Sequence, residues 1–325
     1  MSEIAPDRLD RPDRLPPAVM LMGPTAAGKT EVAMALARRF PVSLISVDSA
    51  QVYRELDIGS AKPDPETLAE FPHALIDIRE PEDTYSAADF AADAAAAIDS
   101  AHEQNRLPVL VGGTTLYFRA LIYGLDAMPA ADAGVRARIA EDAAQHGWKA
   151  LHAELARHDP EAAGRIRIND PQRIQRAVEV LRVSGRGPSA FHRDNRVPRL
   201  DCLRLVLTPS DRSLLHERIE RRFGQMLDEG LVEEVAALRR RSSLTLDHTS
   251  VRSVGYRQLW QHLDGDFSLD EAGRRAVAAT RQLAKRQLTS LRQMQRALWH
   301  DPGSLRTIDL IFRQVGDFQE RVGKR

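Results

Sequence analysis

Up to about residue 125, short unbroken apolar runs alternate with stretches of helical periodicity. Ala18–Met22, Val42–Val47, Ala74–Ile78 and Pro108–Val111 have the length and continuity of buried strands. Between them lie the helical pattern Glu31–Arg39 and an alanine-rich helix opened by Ser86, with Asp89 three residues on as its capping-box partner. Leu116–Ile122 reads as a further helix. This βαβα order predicts an α/β fold, a parallel sheet flanked by helices, whose ligands sit at the carboxyl ends of the strands.

From about Asp126 to Asp201 the strand pattern stops. Asp132–His146 and Trp148–Arg157 are helical in period, and Asp170-Pro171 caps and opens a helix over Gln172–Val183 that closes at Gly185. Arg186–Asp201, rich in proline, glycine and arginine, reads as loop, and Leu203–Leu207 as a returning strand. Helices follow at Arg212–Leu227, Leu231–Arg240 and Val254–Leu263, then a long one from Ser268 with Glu271 as its capping-box partner. The expected organisation is a disordered leader over 1–16, a core over 17–125 and 203–300 ending in helices, a helical insertion over 126–202 and a tail over 301–325.

Composition narrows the class. The chain has 325 residues, 43% hydrophobic and 28% charged, as expected for a globular protein. No run of 18 apolar residues suggests a membrane span. The N-terminus alternates charge with proline and has no apolar signal core. One cysteine, Cys202, excludes an internal disulfide and a multi-cysteine metal site. These features favour the cytoplasm. No exposed apolar seam stands out, so a monomer is expected. Net charge is zero, so nucleic-acid binding would need local segregation of charge.

The stretch between the first strand and first helix reads Gly23-Pro24-Thr25-Ala26-Ala27-Gly28-Lys29-Thr30, a complete G-x-x-x-x-G-K-[ST] phosphate loop. Its backbone N–H groups and the following helix N-terminus aim at an anion. Lys29 adds a point charge, and Thr30 a hydroxyl for Mg²⁺. The motif predicts binding of a di- or triphosphate and a P-loop NTPase-like core.

Other candidates cluster at the same sheet edge. Asp48 directly follows the second strand, beside Ser49, Ala50, Gln51 and Tyr53, as a metal ligand or general base; the plainer reading is a turn-capping aspartate. Gly112-Gly113-Thr114-Thr115 closes the fourth strand and makes Thr114 a weaker candidate. Asp77 has the place of a Walker B aspartate, although no acidic pair follows a strand as an ATPase motor requires. In Arg252-Ser253-Val254-Gly255-Tyr256-Arg257, Arg252 precedes a helix and could fork onto phosphate oxygens. The insertion carries Gln172, Arg173 and Arg176, then Arg186, Arg193, Arg196 and Arg199. Residues 268–300 carry seven basic residues (Arg274, Arg275, Arg281, Lys285, Arg286, Arg292, Arg296) against two acidic ones. A single charged helix face is usually just solvated. Two such segments in a neutral chain point to a polyanionic backbone.

These residues taken together resemble the bacterial tRNA dimethylallyltransferases. The matching strings run over nearly the whole chain: GPTAAGKT, ISVDSAQVYRELDIGSAKP, LPVLVGGTTLYFRAL, NDPQRIQRAVEVL, SVGYRQLW and ATRQLAKRQLTSLR. The resemblance implies transfer of a dimethylallyl group from dimethylallyl diphosphate to N6 of the adenosine 3′-adjacent to the anticodon. The phosphate loop, Gly23 and Thr25 through Thr30, would then hold a diphosphate leaving group with Mg²⁺. Asp48 would be the general base and Arg252 would neutralise the leaving group, while Thr114 would line the channel where base and donor meet. The tRNA would touch Asp48–Gln51, Thr114, Arg136, the run Gln172-Arg173-Ile174-Gln175-Arg176, and Arg252–Arg257. Ala27, Ala74 and Thr115 depart from residues common in the family, and none of these departures removes a residue given a chemical role. On the residues alone, a small-molecule kinase and an ATP-driven RNA-binding module stay open, because a phosphate loop does not name its ligand.

Overall fold

The apolar run that precedes the phosphate loop becomes the central strand β1 (Leu15–Met22), with Ala18 through Met22 fully buried. The structure, a computed structural model, describes residues 14–192 and 197–323. Most of the expected leader, and Arg193 and Arg196, lie outside the described residues. β1 starts earlier than expected and takes in Leu15 and Pro16. Proline is tolerated at a strand's beginning, where a missing N–H costs least, and Leu15 N–H still donates to the Arg199 carbonyl at 2.8 Å.

After β1 come α1 (Lys29–Arg39), β2 (Val42–Val47), α2 (Pro65–Glu70) and β3 (His73–Ala74). Then follow α3 (Ala87–Glu103), β4 (Leu107–Gly112) and α4 (Thr115–Tyr123). After the second unit the chain returns through β5 (Leu200–Leu207), α9 (Arg212–Asp228), α10 (Leu231–Arg239), α11 (Tyr256–Leu263), α12 (Leu269–Leu291), β6 (Leu298–His300) and α13 (Thr307–Gly323). The strands form one sheet of order β3-β2-β4-β1-β5-β6, and the paired strands are parallel throughout. One face buries Met20, Met22, Ile45, Leu110 and Val206 against α3, α4 and the later helices. The other buries Val19, Leu21, Leu44, Val109 and Leu205.

Register explains why the strand ends make a site. Met22 pairs with Gly112, and Gly112 pairs with Val47. Three strands therefore stop level, and the next residues, Gly23, Asp48 and Gly113, emerge side by side. β1 lies where the order of connections reverses, the place where ligands bind in open α/β sheets.

Several expectations are corrected here. The third strand is only two residues long, because Leu75 and Asp77 take positive φ (67° and 55°), breaking the ladder. Asp77 instead accepts from Lys62 Nζ at 2.5 Å, and Lys62 also holds Asp57 and the Tyr53 carbonyl. The long C-terminal helix stops at Leu291, and the residues after it turn at Arg296 (φ 57°) into β6. At its start Ser268 caps Glu271 N–H, but the Glu271 carboxylate turns to Arg274 and Arg275 rather than back to Ser268. Most of the expected tail is α13, which packs Ile311, Val315 and Phe318 onto the sheet. Its apolar residues recur at helical spacing, a signal the sequence reading left unused.

Leu125–Val197 forms the second compact unit. It contains α5 (Ala133–His146), α6 (Trp148–His158), α7 (Pro160–Arg165) and α8 (Pro171–Ser184) around Ile139, Leu155, Ile174 and Val178. Asp170 and Pro171 start α8, and Gly185 ends it at φ 70°. At its centre Glu179 is fully buried, accepting from Arg136 Nε (2.8 Å), Arg176 Nη1 (2.7 Å) and Asp132 N–H (2.9 Å). Burial alone would raise its pKa; the two guanidinium groups and the amide outweigh that and hold it below the usual range.

Candidate functional site

The phosphate loop closes on α1 through Gly28, whose φ of 80° is open to glycine at no steric cost. Ala26 also sits at φ 62°, so the loop turns through two left-handed positions and curls its backbone N–H groups inward. Lys29 lies back along the loop, donating from Nζ to the Pro24 carbonyl at 2.8 Å. Burial pulls its pKa down to about 8; Asp48 opposes this, and Arg222 adds to it. A desolvated lysine that still carries its charge near neutral pH, beside an anion cradle, favours a negatively charged ligand.

Opposite the loop, Asp48 Oδ1 accepts from Ala50 N–H (2.8 Å) and Gln51 N–H (3.4 Å), which fixes the carboxylate plane. Among the described residues no protein donor reaches Oδ2. A proton acceptor is thereby held rigidly by one oxygen and left open at the other.

Asp48, Thr25, Thr114 and Arg252 come from four separate segments and line one cavity of about 450 Å³. A smaller polar pocket of about 80 Å³ adjoins it and brings Lys29, Thr30 and Ser46 to the same Asp48. Thr114 stands at the start of α4 but spends no side-chain bond on capping it, so its hydroxyl is free for a ligand. Arg252 is exposed at the cavity wall before α11.

Two participants escaped sequence reasoning. Arg222 on α9 lines both pockets, and no carboxylate of the described residues pairs with it. Burial lowers its pKa, with Asp48 and Glu31 opposing. Gln287 on α12 bridges the loops: Oε1 accepts Thr25 N–H and Nε2 donates to the Gly113 carbonyl, both at 3.0 Å. A side chain at Gly113 would meet that Nε2 at 2.5 Å, so glycine permits the approach. A usable signal existed for Arg222. It falls on the stripe of α9 that buries Leu215, Ile219 and Phe223, where an arginine is out of pattern.

Other expected contacts have internal duties. Gln51 accepts from Ser46 Oγ (2.9 Å) and donates to the Ala61 carbonyl (3.1 Å). Tyr256 is fully buried, its hydroxyl on Glu234 at 2.6 Å, and Ile174 is in the core of the second unit. Packing withdraws both side chains from the surface. Arg136 and Arg176 brace Glu179, while Gln172 and Arg173 remain exposed.

The parallel sheet with its phosphate loop at the strand ends defines a protein of the P-loop NTPase-like fold. The family match is more specific: residues 51–294 match the IPP transferase family, and the chain belongs to it. It is 55% identical over 288 residues (88% of this chain, 92% of the relative) to the tRNA dimethylallyltransferase of Thiobacillus denitrificans. It is 50% identical over 302 residues to that of Nitrosococcus oceani, covering 92% and 96% of the two chains. Among solved structures, the full-length tRNA isopentenylpyrophosphate transferase from Bacillus halodurans superposes with TM-score 0.70 at 36% identity, covering 95% of this chain and 98% of that one. A eukaryotic dimethylallyltransferase acting on tRNA shares the fold, with TM-score 0.76 at 22% identity, over 95% of this chain and 80% of that one.

Proposed function

We infer that this protein transfers a dimethylallyl group from dimethylallyl diphosphate to the exocyclic N6 of the adenosine 3′-adjacent to the anticodon in tRNA, releasing diphosphate. The observation that carries this reading is the convergence of the phosphate loop, Arg222 and the open oxygen of Asp48 on one cavity.

The donor's diphosphate lies in the loop's N–H groups, with Lys29 and Arg222 beside it and Arg252 reaching in from the wall. The N6 nitrogen attacks the first allylic carbon as the bond from that carbon to the bridging oxygen breaks, and Asp48 Oδ2 takes the N6 proton. An adenine amine is a weak nucleophile, so this proton acceptor is what makes the attack productive. Negative charge grows on the departing diphosphate, where Lys29, Arg222 and Arg252 are already placed. Such preorganised charge is commonly a large contribution to catalysis.

Thr30, in the polar pocket of the phosphate loop, offers a hard hydroxyl oxygen suited to a Mg²⁺ ion held chiefly by substrate phosphates. Bound there, Mg²⁺ would neutralise diphosphate charge. A base stacked in an anticodon loop cannot reach a cavity, so the adenosine must be flipped out. The exposed Gln172 and Arg173 of α8, with Arg257 and Lys285 on the core, are suited to phosphate contacts. Among the described residues no helix is long and apolar enough to cross a membrane. A tRNA substrate supports the cytoplasm.

The test is diphosphate release. It should require both dimethylallyl diphosphate and an RNA carrying the target adenosine, and proceed without ATP. ADP formation that depends on a small acceptor, with no diphosphate released, would instead support a kinase.

A further inference from the structure

The strand ladder fixes the two sides of the cavity only as far as the pairs Met22–Gly112 and Gly112–Val47. Past those pairs the chain leaves the sheet on both sides. One side is the phosphate loop, which holds the donor. The other is Gly113-Thr114, whose Thr114 N–H donates to the carbonyl of Val47, the residue before Asp48, at 3.3 Å. The Gln287 side chain spans the gap. Its Oε1 accepts from Thr25 N–H and its Nε2 donates to the Gly113 carbonyl, each at 3.0 Å. This link needs an amide of this length, because one planar group must accept at one end and donate at the other. An ionised glutamate offers no donor, and asparagine is one methylene short. The helix beneath Gln287 is firmly seated. Ala284 and Leu288 are buried with Leu215 and Ile219 of α9, and Ala26 of the phosphate loop packs on the same cluster.

We propose that Gln287 is a positioning residue that sets the separation between the donor's reacting carbon and the acceptor nitrogen. This rests on the prenyl-transfer reading above and adds to it the part that fixes the reaction distance. The diphosphate places the carbon relative to the phosphate loop, and Asp48 places N6 relative to the strand end. Gln287 ties the one to the other beyond the sheet, with both polar ends of its amide engaged on backbone. A shift of about 1 Å between reacting groups costs about 100-fold in rate. Loss of this link should therefore slow transfer while leaving each substrate's own contacts in place.

The experiment is a double-mutant cycle on the full chain. It reads single-turnover transfer from dimethylallyl diphosphate to an unmodified anticodon stem-loop, with the affinities for inorganic diphosphate and for the RNA measured alongside. Gln287→Met keeps the side chain's length and removes both hydrogen bonds. It should lower the transfer rate at least about tenfold and change both affinities by less than about threefold. Gly113→Ala acts on the same link from the other end, since its methyl would meet Nε2 at 2.5 Å, with the Gly23 carbonyl farther off at 3.2 Å. Against a glutamine held at both ends this change should cost about tenfold in rate, and against the untethered methionine less than about threefold. Such non-additivity marks two residues that act through one contact. Wild-type rates in both single variants would overturn the proposal and leave prenyl transfer standing, as would fully multiplicative losses in the double variant. Diphosphate affinity lost in step with the rate in Gln287→Met would make Gln287 part of the donor site and overturn the positioning role. A wild type that transfers nothing overturns the prenyl-transfer reading, and this proposal with it.

Discussion

Arg222 is a charge held in place for a ligand, and removing it should stabilise the empty protein while disabling it. The guanidinium is largely desolvated and has no carboxylate partner among the described residues. An uncompensated cation taken from water costs several kcal/mol when fully buried. Arg222 keeps partial exposure through the cavity, which reduces the cost to about 1–2 kcal/mol. Arg222→Met keeps most of the apolar stem and deletes the charge. For a protein of this size about 1 kcal/mol moves Tm by roughly 2 °C, so the unliganded variant should melt about 2–4 °C higher than the wild type. Diphosphate should then separate the two proteins. At 100 times Kd a ligand stabilises the folded state by about 2.7 kcal/mol, which should raise the wild-type Tm by roughly 5 °C. Without Arg222 most of that shift should vanish at the same concentration. Thermal melts of both proteins with and without inorganic diphosphate and Mg²⁺ read all four states. A variant that melts lower than wild type when empty, and still shows the full diphosphate shift, would refute the assignment.

Three further outcomes follow from named groups. Asp48→Asn should lower single-turnover transfer at least about 100-fold while changing RNA affinity by less than about threefold in filter binding; equal losses in both would remove Asp48 as the base. Lys29 has its free-state pKa pulled to about 8 and must be charged to hold an anion, so diphosphate affinity should fall above pH 8 by up to about tenfold per pH unit. Calorimetry across pH should show this in the wild type and a flatter profile in Lys29→Arg, in which the diphosphate's own titration is unchanged. Replacing Arg136 and Arg176 together by methionine leaves the buried Glu179 without its guanidinium partners and should destabilise Leu125–Val197 by about 2–3 kcal/mol, read by hydrogen exchange. Because Glu179 titrates below its ordinary value of 4.5, its contribution is complete above that pH and is lost as pH falls through the lower folded value.

What could be read in advance was local. The phosphate loop, its strand and its helix are contiguous, Asp48 follows β2 directly and Thr114 follows β4 after Gly113, so strand order alone brought them to one edge. Arg222 and Gln287 belong to helices far along the chain, and only the packing of α9 and α12 carries them to the loop. The two-residue β3 failed the apolar pattern for a physical reason. Leu75 and Ile78 are partly buried against the core, but the backbone turns through left-handed positions at Leu75 and Asp77, leaving Asp77 for Lys62. Tyr256 and Ile174 sit inside motif strings that resemble RNA-contacting ones, and their burial shows that such a string also contains the residues that hold its shape.

The most direct test combines the purified chain, Mg²⁺, dimethylallyl diphosphate and an unmodified anticodon stem-loop bearing the target adenosine, and weighs the RNA by mass spectrometry. The account predicts a gain of one C5H8 unit on that adenosine, without ATP, and none with Asp48→Ala. No gain on any stem-loop or full-length tRNA, with ATP consumed in the presence of a small acceptor, would contradict it.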